Sequence, residues 1–135
     1  MAAKAAREKQ KQASRRMREA RGRSAETVAV LWLRLRGYRI LERRLKTPLG
    51  EIDIIAARRD VLAIVEVKSR VSRAAGLQAL TPRQCRRIER AATWFLARGP
   101  GAAVGRHIRF DLIVVAPLRL PVHVANAWTP GEAAF

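Results

Sequence analysis

GEIDIIAARRDVLAIVEVKSR, the stretch from Gly50 to Arg70, contains two runs rich in Ile, Val and Leu on either side of the polar break Arg58, Arg59 and Asp60. Such runs around a short polar interruption predict a β-hairpin. With a four-residue loop over Arg58 to Val61, Ala57 faces Leu62. Counting back along an antiparallel ladder sets Asp53 opposite Glu66 and Glu51 opposite Lys68. Alternation then predicts these four side chains on one face with Ile55, Ala57, Leu62 and Ile64, and Ile52, Ile54, Val65 and Val67 on the other. Both faces are apolar enough to be covered by other elements.

Charge in a covered hairpin needs a reason. Opposed residues have Cβ atoms about 4.5 to 5.5 Å apart, and like charges there repel. Asp53 and Glu66 must therefore raise a pKa or share a cation. Carboxylates, a backbone carbonyl such as that of Val67 and water suit a hard ion, Mg²⁺ or Mn²⁺. Lys68, two residues beyond Glu66, adds a positive charge beside it. An ion to hold a phosphate and a lysine to orient water make a site for phosphodiester hydrolysis. The plain alternative is a structural Glu-Lys salt bridge and a solvated strand-end Asp. The spacing Asp, twelve residues, Glu-x-Lys within Val/Ile-rich strands favours the site.

Gly50-Glu51-Ile52-Asp53-Ile54-Ile55-Ala56 followed by Val65-Glu66-Val67-Lys68-Ser69-Arg70 resembles the bacterial YraN-type family. That family's fold is similar to the restriction-endonuclease and Holliday-junction-resolvase group, with its Asp…Glu-x-Lys motif. The likeness runs from Gly22-Arg23-Ser24-Ala25-Glu26 to Arg109-Phe110-Asp111. It implies a metal-dependent nuclease-like centre at Asp53, Glu66 and Lys68, with Glu26 as an additional acid from a helix. The family pattern usually has Asn where this chain has Arg44, and often Lys where it has Gln84.

Composition sets the partner class. The chain has 135 residues, enough for one domain with a real core, and a net charge of +17. Residues 1–23 carry +7 and residues 24–135 carry +10, so the excess is not confined to a tail. A folded portion this basic suggests a polyanion, with steeply salt-dependent binding. DNA is expected ahead of RNA. Cys85 is the only cysteine, which excludes a disulfide framework and a thiolate zinc cluster. No apolar run approaches a membrane span, and no signal-peptide core is present. A cytoplasmic protein without membrane contact is expected.

Residues 1–23 are expected to be a mobile basic arm or a frayed helix. Ser24 is read as the N-cap of a first helix with a stripe of Val28, Leu31, Trp32 and Leu35, closed by Gly37. Glu26, across from that stripe, reads either as a favourable charge near the helix start or as a site acid. Tyr38 to Leu45 follows as a strand, and residues 71–80 as a loop containing Gly76. Thr81 and Pro82 open another helix, closed by Gly99-Pro100, with Ile88, Ala91, Ala92 and Phe95 inward. Its outer ridge of Arg83, Arg86, Arg87 and Arg90, with Arg70 beyond the hairpin, is the candidate phosphate-tracking surface, and Trp94 a candidate for base stacking. Arg109 to Val115 alternates as a strand. Asp111 reads as a buried partner of an arginine, Arg109 among them, whereas His107 and His123 have no ligand spacing. Leu120 to Ala125 is expected as an edge strand, and the tail after Trp128 to contribute little.

The expected architecture is thus a three-layer restriction-endonuclease-like α/β domain over residues 24–135: a mixed sheet of four or five strands flanked by helices in the order αβββαβ. The expected activity is Mg²⁺-dependent cleavage of DNA, with Asp53 and Glu66 on the metal and Lys68 and Glu26 assisting. A nuclease-like fold that binds nucleic acid or a ribonucleoprotein without cutting is the alternative, and a scaffold for another enzyme a third. A resolvase cutting two strands would favour a two-fold dimer.

Overall fold

The structure, a computed structural model, describes residues 1–99 and 101–131. Five strands form one mixed sheet in the order β1 (Arg39–Thr47), β2 (Gly50–Arg58), β3 (Val61–Ser69), β4 (His107–Val115), β5 (Val122–Trp128). Only β3 and β4 are parallel, and the crossover between them carries α2 (Arg73–Ala79) and α3 (Pro82–Ala97). α1 (Ala2–Leu35) covers one face through Ala29, Val30 and Leu33, which pack on Ile54, Ala56, Ala63 and Val65. α3 covers the other through Cys85, Ile88, Ala91 and Ala92, on Ile55, Ala57, Leu62 and Ile64. The three-layer α/β arrangement is the expected one.

α1 differs from expectation twice. It runs unbroken from Ala2, so Ser24 lies inside it and caps nothing. The reason is local: Ala, Lys, Arg, Gln and Glu are strong helix formers, and the one glycine before Gly37, Gly22, does not interrupt the helix. Its buried row is Ala25, Glu26, Ala29, Val30 and Leu33, whereas Val28, Leu31 and Leu35 of the expected stripe face solvent. Small alanines let the helix sit close on the sheet, which larger side chains would hold away. The helix ends in a Schellman turn. Gly37, at φ +88°, donates to Arg34 O, and Tyr38 N donates back to Leu33 O, with Tyr38 and Leu33 in the same core cluster.

The hairpin turn is as read, with Arg58↔Val61 and Ala57↔Leu62 paired. Residues 73–79, expected as loop, form α2, capped by Ser72 accepting from Ala75 N. Gly76 is what lets α2 approach: a Cβ there would collide with the Val114 side chain. The edge strand begins at Val122 and runs on to Trp128, which is buried against Phe110. Pro100 and residues 132–135, on which the expected helix stop and part of the expected tail fall, lie outside the described residues. No described helix is long and apolar enough to cross a membrane.

Candidate active site

The sheet does not remain regular through the acidic positions. The β2–β3 ladder runs inward from Arg58↔Val61 only as far as Ile54↔Val65. The β1–β2 pairs step from Arg43↔Ile54 to Leu45↔Ile52, passing over Arg44 and Asp53. Ile54 lies in the core under α1 but Ile52 in the core under α3. Two residues apart in an unbroken strand they would share a face. β2 therefore turns over at Asp53, and Ile52 is not on the side predicted for it. The same fork corrects the register. Glu51 pairs with Lys46 of β1 rather than with Lys68, and Asp53 meets β3 through its side chain, Oδ2 accepting from Val67 N at 2.8 Å.

This fork brings three predicted residues together. Lys68 Nζ is 3.5 Å from Glu66 Oε1, with both side chains largely covered. Asp53 lies near enough to Glu66 for each carboxyl to perturb the other. Burial pushes the Asp53 carboxyl above its ordinary value, opposed by the Val67 N–H. Burial, then the charge of Asp53, drives Glu66 up to about 8. Without a cation, the pair therefore holds a proton near neutral pH rather than two full negative charges. Asp53, Glu66 and Glu51 line two clefts: one of about 490 Å³ toward α1, with Gly22, Glu26 and Arg44, and one of about 240 Å³ toward α3, with Gln84 and Arg87.

Glu26, 6 % exposed, faces the larger cleft. Its Oε2 accepts from Arg44 Nε at 2.9 Å, and Arg43 Nε lies 3.4 Å from Oε1. Oε1 is buried and, among the described residues, accepts no hydrogen bond. Arg44 has φ +50°, a region that Asn enters more readily than other residues with a Cβ. The Asn that the resemblance implies at this position would suit that conformation, and here the ion pair to Glu26 holds an arginine in it.

Among the described residues no three His, Cys, Asp or Glu side chains form a ready metal cage. Mg²⁺ does not require one, since it is commonly held by one or two carboxylates with several waters. The donors at hand are the Asp53 and Glu66 carboxylates.

On α3, Arg83, Arg86, Arg87 and Arg90 are exposed, and Arg87 reaches the smaller cleft. Gln84, in the capping box with Thr81, lines that cleft too. Arg70 is exposed, donates to Ser69 O and lines a further hollow with Lys68, Arg18 and Gly22. Trp94 is half-buried beneath the Arg98 guanidinium, 4.2 Å from its ring centroid, so one face is already taken. Cys85 is buried, its thiol pushed up to about 11 by burial, which excludes it as a nucleophile.

Asp111 is fully buried and bidentate to Arg109, as expected. His123, read from sequence as isolated, lies with Nε2 2.8 Å from the same carboxylate, and Asn126 N also donates to it. Sequence reasoning missed this partner, although a buried aspartate with one arginine still has acceptor capacity to fill.

The model of the family described as UPF0102, an uncharacterised protein family, matches residues 25–115. The chain is 53 % identical over 109 residues to a UPF0102 protein of Parvibaculum lavamentivorans, covering 81 % of each. It is 46 % identical over 122 residues to one of Maricaulis maris, covering 90 % of this chain and 94 % of the relative. With one of Caulobacter sp. strain K31 the identity is 51 % over 122 residues, covering 90 % and 87 %.

Proposed function

The chain belongs to the UPF0102 family, and we propose that it is a Mg²⁺-dependent endonuclease that hydrolyses phosphodiester bonds in DNA. The observation that carries this reading is the fork at Asp53. Two carboxylates with raised pKa values share a covered position with a lysine 3.5 Å from one of them, open to clefts on both sides.

Asp53 and Glu66 would hold the ion, Asp53 already aimed by the Val67 N–H. When bound, Mg²⁺ would supply charge neutralisation at the scissile phosphate and a more acidic water. Lys68 donates to the attacking water or a phosphate oxygen and keeps it in line. Glu26 closes the α1 side of the cleft, its carboxylate fixed by Arg43 and Arg44. Arg70 and the α3 arginines contact backbone phosphates on either side, which positions the strand without reading its sequence.

One observation favours the non-cutting alternative: the Arg44 guanidinium engages Glu26, so a third acid is partly withdrawn from the centre. Calorimetric titration with Mn²⁺ and Mg²⁺, run beside cleavage assays on duplex, single-stranded and branched DNA and on RNA, separates the two. Metal binding and DNA cleavage that both vanish in Asp53→Ala support the enzyme. Wild-type protein that binds DNA but neither takes up metal nor cuts any substrate supports the binding module.

A further inference from the structure

Lys4, Arg7, Lys11, Arg15 and Arg18 follow one another on α1 at intervals of three or four residues, and the series continues through Gly22 to Ala25, Ala29 and Leu33. At 3.6 residues per turn these positions form one row along the helix. The last three are buried against the sheet, whereas every residue from Met1 to Arg23 is exposed. One face of the helix therefore begins in solvent as five successive cations and ends in the core. The arm's two acids, Glu8 and Glu19, border this row and line the hollows beside it, so its charge is net positive rather than purely cationic.

The hollows along α1 join end to end. Arg7, Lys11, Arg15 and Arg18, with Glu8 among them, border one shallow exposed surface of the helix. Arg18 also lines the hollow that holds Lys68 and Arg70, and Gly22 lines both that hollow and the cleft of Asp53, Glu66 and Glu26. At Gly22 an added Cβ would meet nothing within 4 Å, so the passage is open at the junction.

We propose that this row is a rigid track for one strand of duplex DNA, leading its phosphates along α1 past Lys68 and Arg70 to the carboxylate cleft. The proposal rests on the reading of that cleft as a phosphodiester site. It adds a footprint and a direction. The rise from Lys4 to Arg18 is about 21 Å, so the track spans about six base pairs to one side of the scissile phosphate. Residues 25–115 match the family model, so the track lies outside the matched region.

Binding of labelled duplexes to the full-length protein in EDTA tests it, read as fluorescence anisotropy across a salt series. Wild-type affinity is expected to rise as the duplex is extended on one side and to level off after about six added base pairs. The variant combining Arg7→Ala, Lys11→Ala, Arg15→Ala and Arg18→Ala should lose that gain and lower the slope of log affinity against log salt by about 3.6. Ala13→Pro breaks the helix with every charge kept, and should abolish the levelling at a fixed length. An unchanged salt slope in the alanine variant overturns the track. So does an Ala13→Pro protein with the wild-type footprint, or a length gain seen with duplex RNA and not with DNA. Omitting divalent metal keeps the two readings apart. A protein that binds in this way yet never cleaves removes the endonuclease reading alone, and one that cleaves with length-independent affinity removes the track alone.

Discussion

Glu66→Gln should stabilise the metal-free protein at alkaline pH and leave it nearly unchanged at acid pH. Burial and the neighbouring Asp53 move the Glu66 carboxyl from 4.5 to about 8, so between those values the folded protein holds a proton that the unfolded chain has released. Stability must then fall as pH rises through this window, because the folded state binds the extra proton. At 1.36 kcal/mol per pH unit the full span would be worth about 5 kcal/mol. The Glu66 side chain keeps 16 % exposure, so solvent relaxation absorbs part of that. About 2 to 3 kcal/mol is the expected gain for Glu66→Gln near pH 8.5, shrinking toward zero near pH 4.5. Urea unfolding in EDTA at several pH values measures it. Adding Mn²⁺ should reverse the order, since metal binds the ionised wild-type pair and stabilises it by mass action. A pH-independent difference, or a variant less stable than wild type at pH 8.5 without metal, would refute the reasoning.

Three further outcomes follow from packing and charge. Gly76→Ala forces a methyl into the Val114 side chain and should cost about 1 to 3 kcal/mol of unfolding free energy; a neutral result would mean that α2 does not sit this close. Burial pushes the Asp111 carboxyl up, but hydrogen bonds from His123 and Arg109 outweigh it and leave it below its ordinary value of 3.8. Its contribution is therefore full above pH 3.8 and lost as pH falls through the lower folded value. Asp111→Asn should cost about 3 kcal/mol at pH 7, with the gap narrowing in acid, and a gap that stays constant down to pH 2 counts against the network. Arg44→Ala and Arg44→Asn both remove the Glu26 ion pair, but only Asn suits φ +50°, so thermal unfolding should find the alanine variant less stable by about 1 kcal/mol. Equal stabilities would mean the backbone there relaxes.

What was legible in the sequence was whatever one hairpin fixes by itself. The polar break at Arg58 to Asp60 set the turn, the turn set Ala57 against Leu62, and the count back brought Asp53 near Glu66. It could not reveal that β2 turns over at Asp53, because the irregularity is shared with β1, where Arg44 adopts a left-handed backbone. Nor could it choose the buried row of α1, since residues 28–35 are apolar on several sides and only the sheet decides which side is close-packed. A seven-residue helix such as α2 is too short for periodicity to show. His123 was missed because its partner lies on another strand, at Asp111, where the β4–β5 register shifts.

The fork also explains how a buried hairpin can open its acids to the surface. Had β2 continued in register, Asp53 and Glu66 would stand opposed on one covered face, and their repulsion would favour protonation without giving access from the other side. By turning over at Asp53, the strand sends Ile52 into the α3 core and leaves the acids on the rim between two clefts. The α1 cleft adjoins the hollow lined by Arg18 and Arg70, and the α3 cleft is bordered by Arg87. A strand crossing the acids would thus meet cations on both flanks, which is the charge order a phosphodiester backbone requires.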